Sequence, residues 1–165
     1  MKHLLYLLLI LIFFTACKST SVIIPSKKTE VNTDRTRHLI EQLIHTASDN
    51  IGVKYRTGGT TKAGFDCSGL IYSVFNSCKI QLPRTSFEQS KLGSIIDRDD
   101  NIKKGDLIFF KTNRKSQINH VGMVIDVSDD DVKFIHSSTS RGVIISSTKE
   151  PYYQRSFAQV NRIIR

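Results

Sequence analysis

Three residues of this chain have types and spacing suited to nucleophilic chemistry: Cys67, His120 and His136. Cys67 follows Gly64-Phe65-Asp66 and opens a stretch, residues 66–78, in which Leu70, Ile71, Val74, Phe75 and Cys78 recur at helical spacing. Helix N-termini carry exposed amides and partial positive charge. Both favour thiolate over thiol, so a Cys there is expected to be nucleophilic at neutral pH. A nucleophile of this kind needs a base, and His is the usual one. His120 and His136 stand sixteen residues apart in two apolar, β-like segments joined by the polar run Ser128-Asp129-Asp130-Asp131. A hairpin turning near residue 128 sets them across from one another to within two residues. Cross-strand neighbours lie about 5 Å apart, so one His can meet the thiol while the other orients it. Without Cys67, two ordinary strand histidines would be the simpler reading. His38 and His45 have no such context and read as surface residues.

The other cysteines narrow the assignment. Cys67 and Cys78 lie eleven residues apart on one helix, about 16 Å, whereas a disulfide requires Cα atoms within about 7 Å. The pair is therefore expected to stay unbridged. Cys78, on the same azimuth as Cys67, reads as a small core residue. The chain contains no Cys-x-x-Cys, so a zinc site is not expected.

The elements that must position these groups follow from patterning. Leu39, Ile40, Leu43, Ile44 and Ala47 form the apolar face of a helix capped by Thr33 or Asp34 and stopped at Gly52. A glycine-containing loop, residues 57–64, leads to the Cys67 helix. Leu82-Pro83 breaks the chain, and a short helix is expected near residues 86–92. Strands are expected at 106–110, 120–127, 132–136, 143–147 and 157–162. Helices first and an antiparallel sheet afterwards make an α+β domain.

The 165 residues divide into parts of different character. Thirteen of the first sixteen are hydrophobic, and Leu4 to Phe14 is an unbroken apolar run of 11. A bilayer span takes about 20. With Met1-Lys2-His3 before it and Thr15-Ala16 after it, the segment has the layout of a secretory signal. Phe14-Thr15-Ala16-Cys17 resembles a bacterial lipobox, which implies lipidation of Cys17 and, with Lys18 next, sorting to an outer membrane facing the periplasm, or to the cell surface. The expected division is a signal peptide over 1–16, a lipidated Cys and Ser/Thr/Lys-rich tether over 17–33, and one domain over 34–165. The formal net charge of +9 is scattered, without a basic helix or an aromatic-studded stripe. That argues against nucleic acid and leaves anionic headgroups, acidic wall polymers or a merely solvated surface.

Six blocks in order carry a resemblance. Gly52-Val53-Lys54-Tyr55-Arg56-Thr57-Gly58-Gly59, Phe65-Asp66-Cys67-Ser68-Gly69-Leu70, Leu82-Pro83-Arg84-Thr85-Ser86, Lys104-Gly105-Asp106-Leu107-Ile108-Phe109-Phe110, Asn119-His120-Val121-Gly122-Met123-Val124 and Phe134-Ile135-His136 look like the successive motifs of NlpC/P60 cell-wall cysteine peptidases. The resemblance implies a papain-like α+β domain, with the nucleophile helix packed on an antiparallel sheet. It implies Cys67 as nucleophile, His120 as general base and His136 as the orienting third residue. Tyr55 matches the tyrosine that helps hold the oxyanion, and Asp66, Ser68 and Ser86 match positions that shape the substrate pocket. Arg84 belongs to the same block with no role assigned. Asp66 also suits the N-cap of its helix. The implied activity is that of a peptidoglycan endopeptidase acting on stem peptides or cross-links, with no cofactor, no obligate protein partner and a membrane anchor through Cys17. A catalytically silent wall-binding lipoprotein, or an acyl transferase on the same fold, are the alternatives. Lys54 stands where the family often has Pro, and Ser137-Ser138 where Ala is frequent. The SH3-like domains that some members carry are not seen, which favours an endopeptidase over a dipeptidyl-peptidase.

Overall fold

A computed structural model describes residues 27–96, 102–113, 116–128 and 130–165. The signal segment, Cys17 and the first part of the tether lie outside these residues. The described chain runs α1 (Lys27–Ser48), a two-stranded hairpin of β1 (Thr60–Thr61) and β2 (Gly64–Phe65), α2 (Cys67–Ser77), α3 (Ser86–Gln89), β3 (Ser94–Ile96), β4 (Leu107–Phe110), β5 (His120–Ser128), β6 (Asp131–Ser138), β7 (Gly142–Ser147), α4 (Pro151–Ser156) and β8 (Phe157–Arg162). The six strands from β3 to β8 form one antiparallel sheet in the order β3-β8-β4-β5-β6-β7. This is the α+β architecture expected from the sequence.

The sheet is buried on both faces. Leu43 and Ala47 of α1 and Leu70, Ile71, Val74 and Phe75 of α2 pack with Leu107, Phe109, Val121, Met123 and Ile135 on one side. Ile108, Phe110, Val124, Phe134 and Val160 close on Tyr153 of α4 on the other. All four residues of β4 are therefore buried. Its unbroken Leu-Ile-Phe-Phe run is that of a central strand covered on both sides, without the alternation of a half-exposed one.

The helix before the site begins earlier than expected. α1 starts at Lys27, so residues 27–33, read from sequence as tether, are helical. Nothing between Pro25 and Gly52 breaks a helix, and Lys and Glu are good helix formers. Asp34 is thus no cap but an interior residue, paired with Arg37 at 2.6 Å on the exposed face. The helix ends at Ser48, four residues before the expected stop at Gly52, whose φ of +87° lies in the turn that follows.

Other differences are short elements. β3 and α4 escape sequence patterning because three and six residues are too few to show a period. Among the expected strands, β5 and β6 run longer, to Ser128 and from Asp131, because their hairpin turns as tightly as the polar run allows.

Candidate active site

Asp66 starts the site. It is the N-cap of α2, in extended backbone conformation, and its Oδ1 accepts from the Gly69 amide at 2.6 Å. That fixes where the helix begins and puts Cys67 in its first turn. The other carboxylate oxygen accepts from the Gly58 amide at 2.8 Å, tying in the preceding loop. The chain just upstream is pinned to the sheet, because Ser137 Oγ donates to the Phe65 carbonyl at 2.8 Å. The helix start and the residue after His136 are thereby held to one frame.

Arg84, to which the sequence assigned no role, completes this knot. Its guanidinium donates Nη1 to Asp66 Oδ1 at 2.9 Å and Nη2 to Oδ2 at 2.6 Å. It also donates to Ser68 Oγ at 3.0 Å. Burial works against a charge on Asp66, but Arg84 and the Gly69 and Gly58 amides outweigh it and hold the carboxyl below its usual range. Asp66 and Ser68, expected to shape a pocket, thus spend their polar atoms on one another and on Arg84. Ser86 is buried at the first residue of α3, behind the Thr85 cap.

The thiol of Cys67 is buried and points at the start of β5. Its Sγ lies 3.8 Å from the Asn119 carbonyl, and the Val121 amide acts on it as well. The sulfur therefore rests on the two residues that flank His120. Asn119 is fixed in turn, its Oδ1 accepting from the Thr112 amide at 2.8 Å. The expectation of a ready thiolate is corrected here. Burial, and then the Asp66 carboxylate, push the thiol up, and the Val121, Ser68 and Cys67 amides only partly offset them. The positive end of α2 is already answered by its own cap.

His120 and His136 meet as the hairpin predicted. β5 and β6 pair Met123 with Ile135, which sets His136 opposite Gly122 and diagonal to His120. His120 Nε2 and His136 Nδ1 are 2.9 Å apart, with the rings edge to face at 83°. His136 is fully buried. Burial pushes His120 down to about 4. It pushes His136 down too, with His120 and Arg141 adding to the effect. Both rings are neutral at pH 7. Beyond His136, its Nε2 meets Ser146 Oγ at 3.2 Å and the Tyr153 hydroxyl at 3.1 Å. Sequence reading missed both residues. Tyr153 sits on the unexpected helix α4, and nothing local marks Ser146 among the serines of β7.

Tyr55 bridges to Phe65 through the backbone. Burial, and then the charges of Cys67 and Asp66, raise its hydroxyl, which puts it within electrostatic reach of the sulfur. Cys67 and Cys78 are both free thiols. Cys78 is not the buried core residue expected but the half-buried C-cap of α2.

A sequence model of the NlpC/P60 family matches residues 52–162. The chain belongs to the NlpC/P60 family. All six motif blocks fall within that span. The chain is 40% identical over 138 residues to a probable endopeptidase NlpC homolog of Haemophilus influenzae, covering 82% of this chain and 70% of that protein. It is 40% identical over 114 residues to the murein DD-endopeptidase MepS/murein LD-carboxypeptidase of Escherichia coli, covering 68% and 57%. An NlpC/P60 family protein of Bacillus cereus superposes with a TM-score of 0.69 at 35% identity, over 76% of this chain and 40% of that one. The fold of the family is thus the papain-like α+β domain described above. Among the described residues, no helix is long and apolar enough to cross a membrane.

Proposed function

We propose that this protein is a peptidoglycan hydrolase, a cysteine endopeptidase that cuts amide bonds in stem peptides or cross-links. The observation that carries the reading is the Cys67 sulfur lodged against the residues flanking His120, whose Nε2 is held by His136. The relatives it resembles, an NlpC endopeptidase homolog and a murein endopeptidase, support the same substrate class.

The resting site is a neutral thiol beside a neutral imidazole. As Cys67 Sγ attacks the amide carbonyl, its proton passes to His120 Nδ1, the ring nitrogen that His136 leaves unoccupied. The developing oxyanion is met by the Cys67 backbone amide and the Tyr55 hydroxyl. His120 then gives the proton to the departing amine. Water, deprotonated by His120, releases the acyl group and restores the thiol. His136 holds the base and shares the imidazolium charge formed during each half-reaction. Lipidation at Cys17 would keep the domain at the membrane surface, within reach of the wall.

Purified sacculi test the reading. Cys67→Ala should release no soluble muropeptides while melting like the parent protein. Digestion by that variant would sink the mechanism.

A further inference from the structure

The relay behind the base does not end at His136. With His120 as the base, as proposed above, one proton lies on the 2.9 Å line between His120 Nε2 and His136 Nδ1. Its location decides whether the site works. If it is on His120 Nε2, a neutral His120 has a bare Nδ1 and can accept the Cys67 proton. If it is on His136 Nδ1, neutral His120 must carry its own proton on Nδ1 and has no lone pair to offer. A neutral His136 holds one ring proton. The choice is therefore made at its other nitrogen, Nε2.

That nitrogen faces two hydroxyls, Tyr153 at 3.1 Å and Ser146 at 3.2 Å. Both residues are 4% exposed, and His136 is wholly buried. The Ser146 hydroxyl also acts on the Tyr153 oxygen, opposing the upward push of burial on the phenol. A bare Nε2 has one lone pair and could take a proton from only one of the two hydroxyls, whereas an Nε2–H can be shared between both oxygens. The phenol ring is fixed edge-on to His136, with centroids 5.3 Å apart, and between Phe110 and Phe134 at 5.2 and 4.9 Å. Leaving a ring N–H unpaired among these aromatic rings is costly. We infer that Tyr153 and Ser146 form a paired hydroxyl acceptor that holds His136 as its Nε2–H tautomer and so keeps His120 Nδ1 open for the thiol proton. Both are positioning residues, since neither touches the thiol. The step balances within the relay: the S–H bond breaks, an N–H bond forms at His120 Nδ1, and no proton leaves His136.

The test uses the purified full-length chain as parent protein, Tyr153→Phe, Ser146→Ala and the double variant. Long-range proton–nitrogen NMR correlations assign the ring tautomers directly. Iodoacetamide labelling of Cys67 reports the base without any substrate, and sacculus digestion reports turnover. The parent protein should show Nε2–H on both histidines. Each single variant keeps one hydroxyl and should keep that tautomer, with a loss of several-fold in kcat. The double variant should move the proton to Nδ1 on both rings, slow Cys67 labelling, and lose roughly 10²-fold in kcat at unchanged KM, within the about 10⁴-fold that a wrong tautomer costs a hydrolytic triad. Nδ1–H on His136 in the parent protein would overturn the inference even if the double variant did not fold. So would unchanged tautomers and labelling in a folded double variant. If sacculi prove not to be the substrate, the tautomers and the labelling rate still decide this question separately.

Discussion

Asp66 and Arg84 are locked by two parallel charged hydrogen bonds, 2.9 Å and 2.6 Å, although eighteen residues separate them. The carboxylate is simultaneously the cap of the nucleophile helix. One ion pair therefore fixes both where α2 begins and how much negative charge the adjacent thiol feels.

Removing Arg84 should be felt in both respects. Arg84→Ala leaves a partly buried carboxylate next to Cys67 with its guanidinium partner gone. The side chain of Arg84 is 36% exposed, so solvent screens part of the loss, and about 1–2 kcal/mol of stability is expected to go. The thiol should also become harder to ionise, moving the pH profile of iodoacetamide labelling to higher pH. Arg84→Lys keeps the charge but not the fork and should fall between the two. An unchanged labelling profile in Arg84→Ala would show that Asp66 and the thiol are electrostatically independent.

The histidine pair predicts an acid weakness in a definite window. Both rings are pushed below the ordinary His value, with burial the first cause. The unfolded chain protonates them near pH 6.5 while the folded protein does not. Their stabilising effect is therefore complete above about pH 6.5 and is lost as pH falls toward about 4, the folded value of His120. The limiting slope is about 1.4 kcal/mol per pH unit for each histidine. Asp66, depressed below the carboxylate range, acts only under that window. Urea melts between pH 7 and 4.5 should show a slope that becomes shallower in His136→Gln. Equal slopes would contradict neutral burial of the pair.

What the sequence showed and what it hid divide along one line. Period-two and period-3.6 patterns survive in residues that bury one face, and these located α2, β5 to β8 and the His120–His136 hairpin to within two residues. The thiol's neighbours were harder. The charge state of Cys67 depends on burial and on Asp66, which oppose the helix dipole, and no local pattern reports that balance. Arg84, Ser146 and Tyr153 act across 18, 10 and 17 residues respectively. Their partners are set by strand order and by a six-residue helix that leaves no periodic trace. The Leu82-Pro83-Arg84 block at least flagged Arg84, whereas Tyr153 stood among ordinary aromatic residues.

A purely structural ion pair offers a contrast. Asp106 is 2% exposed and accepts from Arg162 Nε at 2.9 Å and Nη2 at 2.8 Å. It also accepts from the Lys103 amide at 2.8 Å. Asp106→Ala removes the carboxylate on which Arg162 and the turn into β4 are docked. About 3 kcal/mol of stability should be lost, seen as a lower urea midpoint. The folded fraction should keep its rate of Cys67 labelling, because the pair lies away from the thiol. A change in that rate at full folding would couple β4 to the site in a way the hydrogen bonds do not show.

Gly122 stands opposite His136, and its missing side chain is what lets the two histidines close. A Cβ there would lie 2.7 Å from Phe134 Cδ2, 3.0 Å from the Ile135 carbonyl and 3.2 Å from His136 Cβ. Two of these neighbours are backbone or the root of a side chain, and neither yields cheaply. Gly122→Ala should therefore push β6 away from β5 just where the 2.9 Å contact must form, at a cost of about 1–3 kcal/mol in stability. Small misplacements of catalytic groups are expensive, with about 10²-fold in rate for 1 Å. Sacculus digestion should accordingly fall much further than folding does. Gly52→Ala separates strain from position. Gly52 has φ +87° with nothing within 4 Å of an added Cβ, so that variant should lose about 1–2 kcal/mol from backbone strain alone and retain its turnover. If both variants lose activity only in proportion to their unfolding, the close approach at Gly122 serves packing and not the alignment of the two histidines.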